Sequence, residues 1–261
     1  AVISVASGTF SNSAGNTNND GDNTNNTLTL SINTVRPTIA LTSDRSSLQA
    51  GDTATLTFTL SEPSSDFSEA DITVSGGTLS NFSGSGSSYT ATFTANANST
   101  SDAVISVASG TFSNSAGNTN NDGDNTNNTL TLSINTVRPT IALTSTLSSL
   151  KAGDTTTLTF TLSEPSSDFS EADITISGGT LSNFSGSGSS YTATFTADAN
   201  STSDAVISVA SGTFSNSAGN TNNDGDNTNN TLTLSINTVR PTISTTITRV
   251  DSTTADGSYG I

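Results

Sequence analysis

The chain contains no cysteine, histidine, methionine or tryptophan. Without Cys there is no disulfide framework, and without Cys or His there is neither a thiolate or imidazole metal site nor a Ser-His or Cys-His nucleophilic pair. Any catalysis would rest on carboxylates. Basic charge is the scarcest: 6 Lys and Arg stand against 22 Asp and Glu, a formal net charge of -16. Such a surface repels nucleic acid and anionic membrane and attracts cations. No apolar run approaches the roughly 18–20 residues needed to cross a bilayer, so no membrane insertion is expected of this segment. There is no signal-peptide pattern and no start residue, and the chain opens mid-strand on Ala1-Val2-Ile3-Ser4-Val5, which reads as a piece of a longer protein. Hydrophobic residues are 30% and aromatics 5%, too few for the dense core of a helical or α/β enzyme. An acidic, Asn-rich, Cys-free composition fits a secreted, extracellular bacterial chain that folds without disulfides.

What is present is repetition. A length of 261 residues sets a prior of about two domains, and the stretch AVISVASGTFSNSAGNTNNDGDNTNNTLTLSINTVRPTI begins at Ala1, Ala103 and Ala205, a period of 102 residues. Residues 1–102 and 103–204 differ at six places: Asp44/Thr146, Arg45/Leu147, Gln49/Lys151, Ala54/Thr156, Val74/Ile176 and Asn96/Asp198. A period this long suits a self-contained domain rather than a solenoid turn. Pro37, Pro139 and Pro241 can open an edge strand but not continue a central one, which places the boundaries there. The reading is the C-terminal part of one module (1–34), two complete modules (35–136 and 137–238), and the start of a divergent β-module in the tail (239–261).

Within a module the hydrophobic signal has period two, as in Thr55-Leu56-Thr57-Phe58-Thr59-Leu60 and Tyr89-Thr90-Ala91-Thr92-Phe93. Similar alternation around Ile72, Ile105 and Leu130–Ile134, with short strands after Pro37 and around Leu79 and Phe82, predicts seven antiparallel strands, A to G. The expected fold class is all-β: tandem immunoglobulin-like antiparallel sandwiches. The expected inward set is Leu56, Phe58, Leu60, Ile72, Val74, Leu79, Phe82, Tyr89, Phe93, Ile105, Val107, Phe112, Leu130, Leu132 and Ile134.

On that sandwich the B–C and F–G connections share one end. Six of the nine acidic residues of the first complete module, Glu62, Asp66, Glu69, Asp71, Asp122 and Asp124, fall there. Like charges so crowded repel unless something binds among them. Calcium, which takes six to eight oxygens in flexible geometry, is the expected cofactor. The candidate ligands are Glu62, Asp66, Asp71, Asp122 and Asp124 in one module and Glu164, Asp168, Asp173, Asp224 and Asp226 in the next. Asp20 and Asp22 are the candidates in the partial copy. At the opposite end Asp52 with Asp102, and Asp154 with Asp204, form thinner pairs. Asn, Asp and Gly are also what long solvated turns are made of.

The segments Arg-Pro-Thr-Ile, Leu-Thr-Phe-Thr-Leu-Ser-Glu-Pro, Phe-Ser-Glu-Ala-Asp-Ile, Tyr-Thr-Ala-Thr-Phe-Thr and Gly-Thr-Phe-Ser-Asn-Ser-Ala-Gly-Asn, in this order, resemble the bacterial Ig-like repeats of giant secreted surface adhesins. The resemblance covers about residues 1–243. It implies an extracellular stalk of tandem modules, often stiffened by calcium, whose partners are the neighbouring modules of the same chain and a surface ligand the repeats do not identify. It also implies Asp-Thr before the Pro-bearing strand, where this chain has Asn33-Thr34, Asn135-Thr136 and Asn237-Thr238. Two rival readings are a glycosidase built on a pair such as Glu62 and Asp122 and a multivalent glycan- or matrix-binding module. The first is disfavoured because substrate sites are built once and lined with aromatics. Thr-x-Thr rows invite an ice-binding reading, but Thr is simply a good exposed strand residue.

Overall fold

The computed structural model describes residues 1–21 and 23–247. The candidate ligand Asp22 and most of the expected tail module lie outside the described residues, and the chain divides into two compact units, Ala1–Val137 and Arg138–Ile261.

The first unit opens with a two-stranded antiparallel sheet, β1 (Val2–Ser4) and β2 (Thr27–Thr29). A complete sandwich comes next: β3 (Ile39–Ser43), β4 (Ser47–Leu48), β5 (Thr53–Ser64), β6 (Ile72–Ser75), β7 (Gly77–Ala95), β8 (Ala103–Val107) and β9 (Thr129–Ile134). One sheet has the order β3-β5-β7 and the other β4-β9-β8-β6. The second unit repeats this with β10 (Ile141–Ser145), β11 (Ser149–Lys151), β12 (Thr155–Ser166), β13 (Ile174–Ser177), β14 (Gly179–Ala197), β15 (Ala205–Val209) and β16 (Thr231–Asn237). Period-two patterning sets the register. Phe58 lies across from Tyr89 and Leu56 from Ala91, all buried, while Thr57 lies across from Thr90 on the outer face. A slip of one residue would turn both apolar rows outward.

Two features depart from seven simple antiparallel strands. The first strand is split: after β3 the chain crosses to the other sheet, where β4 runs parallel to β9, with Ser47 across from Ser133 and Leu48 from Ile134. The crossing carries Leu48 into the core at 1% exposure, which is the gain that makes the switch favourable. The expected D and E strands form the single stretch β7, which doubles back on itself. Asn81 donates to the Thr92 hydroxyl, Ser83 pairs with Thr90, and Gly77 lies so near the Thr94 carbonyl that a Cβ there would sit 2.3 Å from it. Gly86, at φ 66°, turns the tip.

The core contains the expected inward residues, with Ile72, Val74, Leu79, Phe82 and Leu130 only partly buried at its margin. It also contains Phe67, which the sequence places in a loop. Phe67 stands at the centre of an aromatic cluster, its ring 5.0 Å from Tyr89, 5.2 Å from Phe112, 5.8 Å from Phe82 and 5.9 Å from Phe58. Two of the six repeat differences are coupled. Asp44 accepts the Thr55 N–H at 2.8 Å beside Ala54; in the second unit Thr146 accepts the Thr157 N–H at 3.2 Å and pairs with the Thr156 hydroxyl at 3.0 Å.

Residues 1–34 match 103–136 in sequence but not in environment. Ile3, Val5 and Phe10 are 57%, 48% and 63% exposed, whereas Ile105, Val107 and Phe112 are at 0%, 0% and 1%.

Candidate functional site

The B–C connection begins where Pro63 interrupts the ladder and the β5–β7 register shifts. Ser64, buried, organises the turn beyond it. Its hydroxyl donates to Asp66 at 2.6 Å and accepts the N–H groups of Asp66 and Phe67, while its carbonyl accepts the Tyr89 hydroxyl at 3.0 Å. This turn drives Phe67 into the core and swings Asp66 towards the F–G loop. There Asp66 accepts the Ser113 N–H at 2.9 Å and the Ser113 hydroxyl. Asp71 closes a single 3-10 turn, Glu69–Asp71, by accepting the Ser68 N–H at 2.8 Å and its hydroxyl at 3.1 Å.

The F–G loop is built by asparagines. Asn120 is fully buried; its oxygen accepts the N–H groups of Thr111 and Phe112, and its amide donates to the Ala108 carbonyl. Asn114 accepts the Ala116 and Asn118 N–H groups and donates its amide to both the Glu62 carboxylate and the Val35 carbonyl. Asn118 donates to the Asn33 carbonyl at 3.0 Å. Two side-chain amides therefore tie the Pro-bearing linker to the loop. In sequence the run reads as turn composition; the alternation Asn118, Asn120, Asp122 is the signal that its side chains are structural.

The carboxylates consequently do not gather as the loop sequences suggested. Among the described residues no three acidic side chains are placed to hold a metal ion together. Glu62 is held by Asn114, Asp66 by Ser64 and Ser113, and Asp71 by Ser68, and Asp124 is exposed. Their counterparts behave alike: Glu164 accepts from Asn216 at 2.6 Å, Asp168 from Ser166 and Ser215, Asp173 from Ser170, and Asp226 is exposed. The crowding inferred from sequence is relieved by hydroxyl, amide and main-chain donors. A shared ion is not required for it.

Asp122 and Asp224 are different. Each is 6% exposed, and one carboxylate oxygen accepts a strand N–H, from Ile39 or Ile141, at 2.8 Å. The other, Oδ2, is buried with no hydrogen-bond partner. An unsatisfied buried polar atom costs about 1–3 kcal/mol, more for a charged group, so a polar ligand on Oδ2 would be stabilising. Asp20, in the same loop sequence, is only half-buried.

Hydrogen bonding lowers the pKa of Asp66 below its ordinary 3.8, first through the Ser113 hydroxyl and then through Ser64. At Asp168 burial pushes the value up, but the Ser166 and Ser215 hydroxyls outweigh it and the net shift is downward. A carboxyl with a depressed folded-state pKa contributes stability that is full above the unfolded value and is lost as pH falls through the folded one. Ser113→Ala is expected to move the Asp66 titration back towards 3.8, so that acid unfolding of the first module begins at higher pH. Melting curves recorded between about pH 2 and 6 measure this; an unmoved acid limb would contradict the assignment.

In the second unit a shallow groove runs between the Ser166–Glu171 turn and the β14 hairpin tip, lined by Ser167, Phe169, Glu171, Phe184, Ser187 and Tyr191. Phe184 is half-buried there and stacks on Tyr191 at 5.7 Å.

Among solved structures, the Escherichia coli adhesin FdeC is similar with a TM-score of 0.41 and 16% identity, over 76% of this chain and 64% of that one. The Yersinia pseudotuberculosis adhesin InvE gives 0.33 and 16%, over 76% and 58%, and invasin, a bacterial integrin-binding protein, 0.32 and 15%, over 65% and 36%. The chain thus spans less than two thirds of the length of each of these proteins. No curated protein sequence matches it. A family model described as bacterial Ig-like domain matches residues 33–131 and again 135–234. The chain belongs to the bacterial Ig-like domain family, in two tandem copies.

Proposed function

We propose that these modules are the spacer portion of an extracellular bacterial adhesin, stiffened by calcium and supporting cell adhesion or biofilm formation, with no catalytic role. The observation that carries the reading is the repetition itself: one two-sheet sandwich, made twice from nearly the same 102 residues. Its topology suits the task. Within a module β4, near the start, runs parallel to β9, at the end, so the chain enters at one pole and leaves at the other. Each added copy can then carry the chain onward. The linker is short and pinned by the amides of Asn114 and Asn118, which restricts bending at its start.

Solution scattering tests both parts. Duplicating residues 137–238 is expected to raise the maximum dimension by a fixed increment per copy, and chelation to compact the profile while leaving the modules folded. A dimension that fails to grow overturns the spacer reading, and a profile and melting temperature indifferent to chelator overturn the calcium part. The groove beside Phe184 favours one second reading, multivalent glycan binding, in which affinity would climb steeply with copy number.

A further inference from the structure

We propose that the F–G loop is a removable cover over a self-association edge. It occupies the free side of β3 in the first module and of β10 in the second, and so keeps that strand from pairing with the same strand of another copy of the chain. This goes beyond the spacer reading and does not depend on calcium. β3 stands at the end of its sheet and pairs with β5 alone. The Thr38 carbonyl faces β5, where it accepts the Ser61 N–H at 3.0 Å, so the main-chain groups of the alternate residues Pro37, Ile39 and Leu41 face the other way. The loop takes one group on each of these three. The Pro37 carbonyl accepts the Asn121 N–H at 2.9 Å, the Ile39 N–H donates to Asp122 Oδ1 at 2.8 Å, and the Leu41 N–H donates to the Asn127 carbonyl at 2.8 Å. The second module repeats the set, with Asn223 on Pro139 at 3.0 Å, Asp224 on Ile141 at 2.8 Å and Asn229 on Leu143 at 2.9 Å.

The loop stands in for a partner strand without being one. After Asn121 it turns through Gly123, φ 59°, with the Asn125 N–H closing on the Asp122 carbonyl at 3.0 Å, and Ile39 takes its acceptor from the Asp122 side chain instead of a main-chain carbonyl. The seam has a weak point. Asp122 Oδ2 is enclosed in it with no hydrogen-bond partner, and the lost hydration works against closure. A cover so held opens more readily than the ladder beneath it.

The other sheet edges are blunted by their own geometry. β4 is two residues long, β6 is four, and the outer arm of β7 is kinked at Asn81, φ 54°; short strands and kinks both discourage pairing. β3 has five residues and neither device. Its best-matched partner is a second β3, because an antiparallel pair of identical strands is self-complementary and closes as a two-fold dimer. β10 has the same sequence, Ile-Ala-Leu-Thr-Ser, so every copy of the module offers the matching edge.

Replacing residues 121–127 by a glycine-serine segment of equal length uncovers one edge per chain. Light scattering is expected to give a monomer for the unsubstituted chain at low and at high salt, and twice that mass for the variant. The peptide Pro-Thr-Ile-Ala-Leu-Thr-Ser is expected to split the dimer and to bind the variant about tenfold or more tightly than it binds the unsubstituted chain. The same peptide methylated on its Ile and Leu amide nitrogens is expected to do neither. Circular dichroism with a melting curve checks that the variant folds. A folded variant that stays monomeric and ignores the peptide would overturn the proposal. So would an unsubstituted chain that dimerises at high salt, since charge and not the loop would then keep copies apart. Hydrogen exchange on the unsubstituted chain gives a reading that needs no variant: the Ile39 and Leu41 amides are expected to be protected, yet to exchange before those of β5. Exchange as fast as in exposed turns would mean no cover, and exchange only on global unfolding would mean that the cover does not open.

Discussion

Asn114→Asp is expected to destabilise the first complete module by about 3 kcal/mol, lowering its melting temperature by roughly 12–20 °C in a domain of this size. The substitution is isosteric, and a carboxylate would still accept the Ala116 and Asn118 N–H groups that the Asn114 oxygen accepts. Its third direction is what changes. The Asn114 amide donates to the Glu62 carboxylate and, at 3.0 Å, to the Val35 carbonyl. Asp would place a third acceptor against two acceptors in a residue 6% exposed, removing a charge-assisted hydrogen bond and adding like-charge repulsion. Millimolar calcium is expected to recover much of the loss in this variant, because a hard cation can satisfy all three oxygens at once. Scanning calorimetry with and without calcium resolves the outcome, with the second module as internal reference. An Asn114→Asp chain that melts like the parent in chelator would show that the amide does not carry the linker.

The second large effect is expected at Phe67. Truncation to Ala should cost about 4 kcal/mol, the range for a buried aromatic and a large part of the roughly 5–15 kcal/mol that holds a domain together. The ring touches Phe58, Phe82 and Tyr89 of the β3-β5-β7 sheet and Phe112 of the loop after β8, so its removal leaves a cavity whose walls belong to separate elements and cannot all relax inward. Phe82→Ala should cost distinctly less, since Phe82 sits at the margin and is partly solvated already. Chemical denaturation of the two variants decides the matter. Equal losses, or a loss below about 1 kcal/mol at position 67, would mean that the residue behaves as an exposed loop side chain after all.

Phe67 also shows where sequence reading stops. Its neighbours Ser64, Ser65, Asp66, Ser68 and Glu69 are turn-formers, and nothing in a polar run announces that one member is a core residue. The Ser64 hydroxyl makes it one by fixing the turn. The acidic residues are similar. Their number and their confinement to two loops are plain in the sequence, but which of them has a donor depends on residues far along the chain, Ser113 for Asp66 and Asn114 for Glu62. Counting charges overstates repulsion because it omits these partners. The same count misses the buried carboxylate oxygens of Asp122 and Asp224, which among the described residues lack a hydrogen-bond partner and which only burial identifies.

By itself the sequence determined the repeat, the all-β class, the alternation of every principal strand and the exclusion of thiol and imidazole chemistry, because each depends on residue types and near-neighbour spacing. Only the tertiary structure decided which residues of the polar loops join the core. Phe67 stands in a run of turn-formers yet is 5% exposed. The difference is the turn fixed by the Ser64 hydroxyl, which carries the ring against Phe58, Tyr89 and Phe112. Hydrophobic burial is a property of two surfaces meeting; local sequence encodes one of them, and the fold supplies the second.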